Sequence, residues 1–400
     1  MVRIDLSKKT QSYMAYALLL SIFVTKYALV TYLIAAIGKM PIIGEFSNMI
    51  LFICIFILGI VAYKKSMIRY ARTEDILVPL FVIMSILVTW WVYPQNMQYL
   101  SQNYSSYIAF CIPAFLVGLM STEYDEQMFY IITIVSVISL VCSYLYTFIY
   151  LTTSTFDELG QSYSVLPGTL FIIGYYMCSK KKAYLIASIA GVIYAFMLGS
   201  RGPVLLIAIF IVSGLLLIDS KLSLRKLITV SLIFFAVLIF IYSGAYLEML
   251  KIARTYLARK SISTRVIDFM ISGEYISYTS GRTDLHDKLL LILQSRPYLG
   301  YGLFGEWNFN GWNAHGIYLE VVFEYGWPLG VLLIVWYLFK VIPTFFMEKE
   351  AHNRVFMLVF IVYVLVQGVM SYSHLRPELF LLLGFCLKQR RVQKLYRLGD

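Results

Sequence analysis

The sequence predicts an all-α polytopic membrane protein with about twelve transmembrane helices and both termini cytoplasmic. Composition, run length and charge placement carry that expectation. Of 400 residues, 60% are hydrophobic and only 14% charged, with a mean hydropathy of +0.76. A soluble domain carries about 25% charged residues. Apolar runs of roughly 16 to 24 residues recur from Met14 to the C-terminus, and ~20 residues cross a bilayer as a helix.

Taken in order, the expected spans are 13–37, 46–63, 76–93, 105–120, 128–150, 163–178, 183–199, 203–218, 226–243, 327–342, 355–371 and 377–388. The first carries Lys26 in its middle and no small-residue cleavage pattern, so it reads as a retained span and not a signal peptide. The fourth, sixth and twelfth are the least regular, being short or interrupted by Pro113 and Pro167. Nine spans fill residues 1–243, a large loop occupies 244–326, and three spans with a basic tail fill 327–400.

Lys and Arg set the orientation. The segments expected inside carry Arg3, Lys8 and Lys9, then Lys64, Lys65, Arg69 and Arg72, then Lys180 to Lys182. They continue with Lys221, Arg225 and Lys226, with Lys340, Lys349 and Arg354, and with Lys388, Arg390, Arg391, Lys394 and Arg397. The short outer turns hold Lys39, Arg201 and Arg376. The net charge of +11 is therefore mostly topology and not a nucleic-acid footprint. All five cysteines (54, 111, 142, 178 and 386) sit in or at the ends of apolar runs without metal-ligand spacing, and read as small core hydrophobes.

The 244–326 connection is too long for a passive link, and long loops are usually functional. In "AYLEMLKIARTYLARKSISTR", Tyr246, Met249, Leu250, Ala253 and Leu257 recur at helical spacing among Lys251, Arg254, Arg259, Lys260 and Arg265. Such a helix suits an anionic membrane surface, and equally a face packed on its own bundle. In "SGRTDLHDKLLLILQSRPYLGYG", Thr283 or Asp284 caps a helix with Leu285, Leu289 and Leu293 on one side and an Asp284–Lys288 pair. Arg282 then sits at the helix start, where the dipole disfavours a cation, which suggests that it serves an anion. In "NAHGIYLEVVFEYGWPLG", residues 317–325 form a short helix with Glu320 and Glu324 on one stripe, broken at "GWPLG". His315 and Glu320 lie about 140° apart around such a helix and need not be partners. The tight "GSRGP" turn carries Arg201, either snorkelling or projecting into what lies above it.

These segments together resemble the O-antigen polymerase and O-antigen ligase superfamily. The resemblance rests on "LGSRGPVLLIA", an arginine opening the loop helix, P-x-x-G-x-G at Pro297–Gly302, and a His-containing segment before E-x-G at Glu324–Gly326. It covers roughly residues 190–340, and the twelve-span layout agrees over the chain. One departure is Gly316, where the family often has Asn after the histidine. The resemblance implies a membrane glycosyltransferase that moves glycan from an undecaprenyl diphosphate carrier at the periplasmic face of the bacterial inner membrane. No D-x-D occurs, and the expected chemistry uses neither metal nor cofactor. Arginines can stabilise the diphosphate leaving group by bidentate contacts. Arg201 and Arg282 are assigned to the diphosphate and His315 to the base that takes the acceptor hydroxyl's proton. Arg265, Arg296, Asn313, Tyr318, Glu320 and Glu324 are candidate contacts to diphosphate or sugar, and His286 is a second candidate base.

The tight glycine motifs and loop length resemble a polymerase that joins carrier-linked repeat units, with a chain-length regulator as the implied partner. A ligase and a protein O-oligosaccharyltransferase share the scaffold. A transporter for the same lipid-linked sugar is the alternative of another class. The clustering of ionisable groups at one face argues for an enzyme, since transporters place polar groups near the midplane.

Overall fold

The computed structural model describes residues 8–25, 73–120, 126–150, 158–198, 201–218, 228, 245–259, 264–272, 282–311, 313–370 and 376–399. The expected span 46–63, the span 226–243 apart from residue 228, Lys26 and the second half of 13–37 lie outside the described residues. Among the described residues there is no strand, and the chain folds as packed helices.

In chain order these are α1 (Lys8–Thr25), α2 (Thr73–Val92), α3 (Met97–Ser106), α4 (Ile112–Met120), α5 (Glu126–Tyr150), α6 (Glu158–Ser179), α7 (Lys182–Met197) and α8 (Arg201–Leu217). The loop region holds α9 (Ala245–Arg259), α10 (Arg265–Ser272), α11 (Arg282–Leu293) and the one-turn α12 (Trp307–Asn310). Then come α13 (Ile317–Met347), α14 (Ala351–Phe360), α15 (Gln367–Met370) and α16 (Pro377–Gly399). The π-helical turns Tyr107–Cys111 and Ile361–Val366 join α3 to α4 and α14 to α15. The fourth expected span therefore continues a helix that begins at Met97, and the twelfth extends well past Lys388.

Among the described residues, four helical stretches are long and apolar enough to cross a membrane: Asp75–Val92, Glu126–Phe148, Ile317–Met347 and Ala351–Val369. Shorter apolar helices occupy Met14–Thr25, Lys182–Met197 and Gly202–Leu217. Leu77, Leu80 and Leu87 of α2 and Leu332, Val335 and Phe339 of α13 are exposed, which is costly in water and favourable in lipid. The protein is membrane-embedded and all-α. Trp90, Trp91 and Trp327 are also exposed, as tryptophans at a membrane–water boundary are.

The core is aromatic. Phe129, Phe171 and Tyr175 pack together, and Phe171 meets Phe356 and Phe360 edge-on. The α4 and α16 helices cross closely. A methyl group at Gly118 would lie 2.4 Å from Leu381 O, and one at Gly384 would lie 2.3 Å from Phe115 O. Two glycines let these backbones approach where any side chain would separate them, as in small-residue membrane crossings.

Hydrogen bonds establish which helix ends lie together. Arg354 at the start of α14 donates to Leu217 O and Ile218 O at 3.4 Å, so α8 runs antiparallel to α14 and α15. Arg390 reaches Thr344 Oγ1 at 2.8 Å, and Arg391 forms a bidentate pair with Asp75. The starts of α2 and α14 and the end of α8 thus share one end of the bundle with the polar part of α16. The start of α8, α15 and the 298–306 loop lie at the other.

Candidate functional site

The break in α13 organises that second end. Gly326 has φ 77° and ψ 167°, outside helical geometry, and separates 317–325 from 327–347. A break leaves helix carbonyls without intrahelical partners, and they need donors from elsewhere. The 298–302 loop supplies them. Tyr301 N–H donates to Phe323 O at 3.0 Å, Gly302 N–H to Glu324 O at 2.9 Å, and Trp327 N–H returns to Pro297 O at 2.8 Å. This seating requires glycine. Gly300 has φ 64°, and a methyl group there would lie 2.4 Å from Gly326 N. The P-x-x-G-x-G and E-x-G motifs are two halves of one backbone joint.

The end of α2 clamps the same loop from its other side. Asn96 is fully buried and donates Nδ2 to Tyr301 O at 2.8 Å and Leu303 O at 2.9 Å, while its Oδ1 accepts from Asn308. Thr89 Oγ1 accepts Leu303 N–H at 3.0 Å, and Tyr93 donates to Leu299 O at 3.2 Å. Burial pushes the Tyr93 phenol up, with the Arg296 cation working against it. Arg296 itself is exposed and lies over the Tyr301 ring at 5.8 Å.

Inside this joint sit three carboxyls. Glu306, Glu320 and Glu324 are 0%, 0% and 2% exposed, and one oxygen from each lies within 4.8 Å of the others. Glu324 Oε1 accepts Phe304 N–H at 2.7 Å. Neither oxygen of Glu306 has a partner with hydrogen-bond geometry, although Glu320 and the Trp307 indole lie close enough to act on its charge. Burial, followed by the Glu320 charge, pushes the Glu306 carboxyl well above the usual carboxylate range. At an effective dielectric of about 20, two unit charges ~4.8 Å apart repel by about 3.5 kcal/mol. Three ionised carboxylates in this space require a cation or a shared proton.

His315 lies just before α13, half-buried, with φ 53°. The left-handed region is uncommon for a side-chain-bearing residue, and a local bond helps hold it: Asn313 Oδ1 accepts His315 N–H at 3.3 Å. His286 Nε2 bonds Ala314 O at 2.8 Å, tying the second turn of α11 to the histidine segment. A methyl group at Gly316 would lie 3.6 Å from both His286 Cε1 and Gly368 O. The Gly316 backbone is therefore wedged between α11 and α15.

Arg201, Arg265 and Arg282 are each the first residue of a helix: α8, α10 and α11. The start of α8 lies at the α15 end of the bundle, where Gly368 meets Gly316, and Arg282 begins one turn before His286. The starts of α8 and α11 and the segment of His315 thus lie at the same end of the bundle. Arg265 opens α10, which pairs with α9 through Arg254 and Asp268 at 2.5 Å. Tyr318 donates to Leu365 O at 3.1 Å.

Some sequence expectations change in detail. The α11 helix begins at Arg282, so Thr283 and Asp284 lie in its first turn and do not precede it as caps. Lys288 does not turn back to Asp284 but reaches Phe309 O at 2.9 Å and Asn310 Oδ1 at 3.1 Å, anchoring α12 to α11. Leu289 and Leu293 are fully buried, as the apolar stripe predicts. On α9, Met249, Ile252 and Tyr256 are exposed, while Ala253 and Leu257 are partly covered. Sequence reasoning missed Glu306, Asn96, Tyr93 and Thr89. Only Glu306 gave a signal, a carboxylate in the otherwise uncharged "YGLFGEWNF".

An apolar cavity of about 290 Å³ opens beside the joint, between α2, α13, the Ile361–Val366 turn and α16. Phe81, Tyr318, Tyr325, Trp336, Tyr337 and Leu365 are among its walls. No protein-family model, curated protein or solved structure matches the chain.

Proposed function

We propose that this chain is a twelve-span membrane glycosyltransferase of the O-antigen polymerase kind, joining undecaprenyl-diphosphate-linked repeat units at the periplasmic face of the bacterial inner membrane. The observation that supports the reading is that the starts of α8 and α11 and the segment of His315 lie at one end of the bundle. Three remote segments at that end each contribute one residue suited to diphosphate or proton transfer. The apolar cavity beside them suits the hydrocarbon of a lipid carrier, its aromatic walls supplying area without charge.

In this mechanism Arg201 and Arg282 hold the diphosphate of the donor and neutralise charge as the anomeric bond breaks. Arg296, exposed and stacked on Tyr301, is a further candidate contact to the diphosphate or sugar. His315 accepts the proton of the attacking sugar hydroxyl. Asn313 keeps the histidine backbone in its turn, which fixes where the imidazole starts. A ligase or a protein O-oligosaccharyltransferase would use the same donor half and differ in acceptor.

One observation favours a carrier for the lipid-linked sugar: three buried carboxyls beside a broken helix resemble the ion sites of transporters. The test separates the readings. Purified protein in detergent, given polyprenyl-diphosphate-linked repeat units, elongates them into a ladder without any sealed compartment. Arg201→Ala, Arg282→Ala and His315→Ala each abolish the ladder, by about 100-fold or more, while the protein still inserts. Normal ladders from all three variants would overturn the site. Transport in vesicles with no elongation in detergent would make the protein a carrier.

A further inference from the structure

The geometry points to a calcium site built by Glu306, Glu320 and Glu324, a cation that rivets the 300–306 loop to the first half of α13. This site is independent of the glycosyl-transfer reading. Its donors come from two segments: Glu306 ends the loop seated on the helix break, and Glu320 and Glu324 sit one turn apart on the short helix that follows His315.

Two observations beyond the acidic cluster point to a ligand. Glu306 is 0% exposed, and both its oxygens lack a hydrogen-bond partner while one faces the other two carboxyls. A buried carboxylate is ordinarily satisfied by donors, so an unsatisfied one aimed into a cluster of its own kind marks the place of a cation. Secondly, the surroundings are already fixed by other bonds: Phe304 N–H takes Glu324 Oε1, and Asn96 holds the backbone at 301 and 303. The carboxyls are therefore held together by the fold.

The donor set selects the ion. Three carboxylate oxygens and no nitrogen or sulfur suit a hard cation. Oxygens within 4.8 Å of one another leave room for calcium, whose bonds are about 2.4 Å. Magnesium demands octahedral geometry and retains several waters, which a fully buried cluster accommodates poorly. The ion offsets the negative charge that gathers on Glu306, Glu320 and Glu324. It also couples the loop bearing Arg296 to the helix that follows His315.

The experiment uses the full chain in detergent micelles, stripped of divalent ions on a chelating resin. Terbium is the first probe, because the Trp307 indole adjoins Glu306 and transfers excitation to a lanthanide bound there. One saturable terbium signal, displaced by calcium, is expected. Calcium-45 equilibrium dialysis should show about one ion per chain. Glu306→Gln, nearly isosteric, should weaken calcium binding about tenfold or more, whereas Asp287→Asn on the exposed face of α11 leaves it unchanged. Trp307→Phe should abolish the terbium signal while calcium-45 binding persists, which locates the ion without disturbing a ligand. Absence of saturable calcium binding to the wild-type chain would overturn the proposal and leave the three carboxyls held by shared protons. Calcium binding undiminished in folded Glu306→Gln would overturn it equally. Neither result depends on any elongation assay.

Discussion

Gly300 and Gly326 carry the joint at the break in α13, and each is there because a side chain has no room. At Gly300 the strain of φ 64° adds to an overlap with the backbone nitrogen of residue 326. A non-glycine residue in the left-handed region costs about 1–2 kcal/mol, and displacing a packed backbone costs about as much again. Gly300→Ala is expected to destabilise the protein by about 2–4 kcal/mol. A thermal melt in detergent checks this. Gly311 also has φ 73°, but a methyl group there would meet nothing within 4 Å. Gly311→Ala should therefore lower the melt less than Gly300→Ala. His315, by contrast, holds a left-handed conformation with its side chain intact, supported by Asn313. The sequence marks these positions by type, since P-x-x-G-x-G and E-x-G are visible as text. That the two motifs bond each other is not visible, because Tyr301 and Phe323 belong to separate elements joined only through backbone groups.

At the scale of elements, α2 and α16 are tied at the end opposite the joint by Asp75 and Arg391. Their side chains are 11% and 10% exposed, and the contact is bidentate. Removing one member of a buried pair strands the other, at a cost of about 3–5 kcal/mol, far above a surface salt bridge. Arg391→Ala is expected to lose that much, and Asp75→Asn in the same chain to recover part of it. A double-mutant cycle read by chemical or thermal unfolding decides the matter. The pair escapes sequence reading because 316 residues separate its members. Arg391 counts there only as an inside charge, and Asp75 as the rim of a span. Apolar period and length revealed most described helices within a few residues, whereas α3 was missed because "MQYLSQNYSS" is polar and contributes no hydropathy.

Across the whole molecule, one end gathers Arg354, Arg390 and Arg391, and the other gathers the glycine joint, His315 and the start of α8. This polarity supports the proposed orientation, with the basic end in the cytoplasm. A fluorescent protein fused after Asp400 should fold and fluoresce, while alkaline phosphatase inserted after Gly311 should be active. The reverse pattern would invert the topology and put the arginines on the wrong side for a periplasmic donor. By itself the sequence determined the membrane class and the approximate position of most described apolar helices. These follow from local quantities: hydropathy over about 20 residues, basic flanks and turn residues. Only the tertiary structure decided that Glu306 joins Glu320 and Glu324, that Asn96 grips the loop, and that His286 of α11 ties to the segment before His315. Each of those depends on contacts between segments distant in the chain, and pairing at such distance is set by how helices pack, which no local pattern encodes.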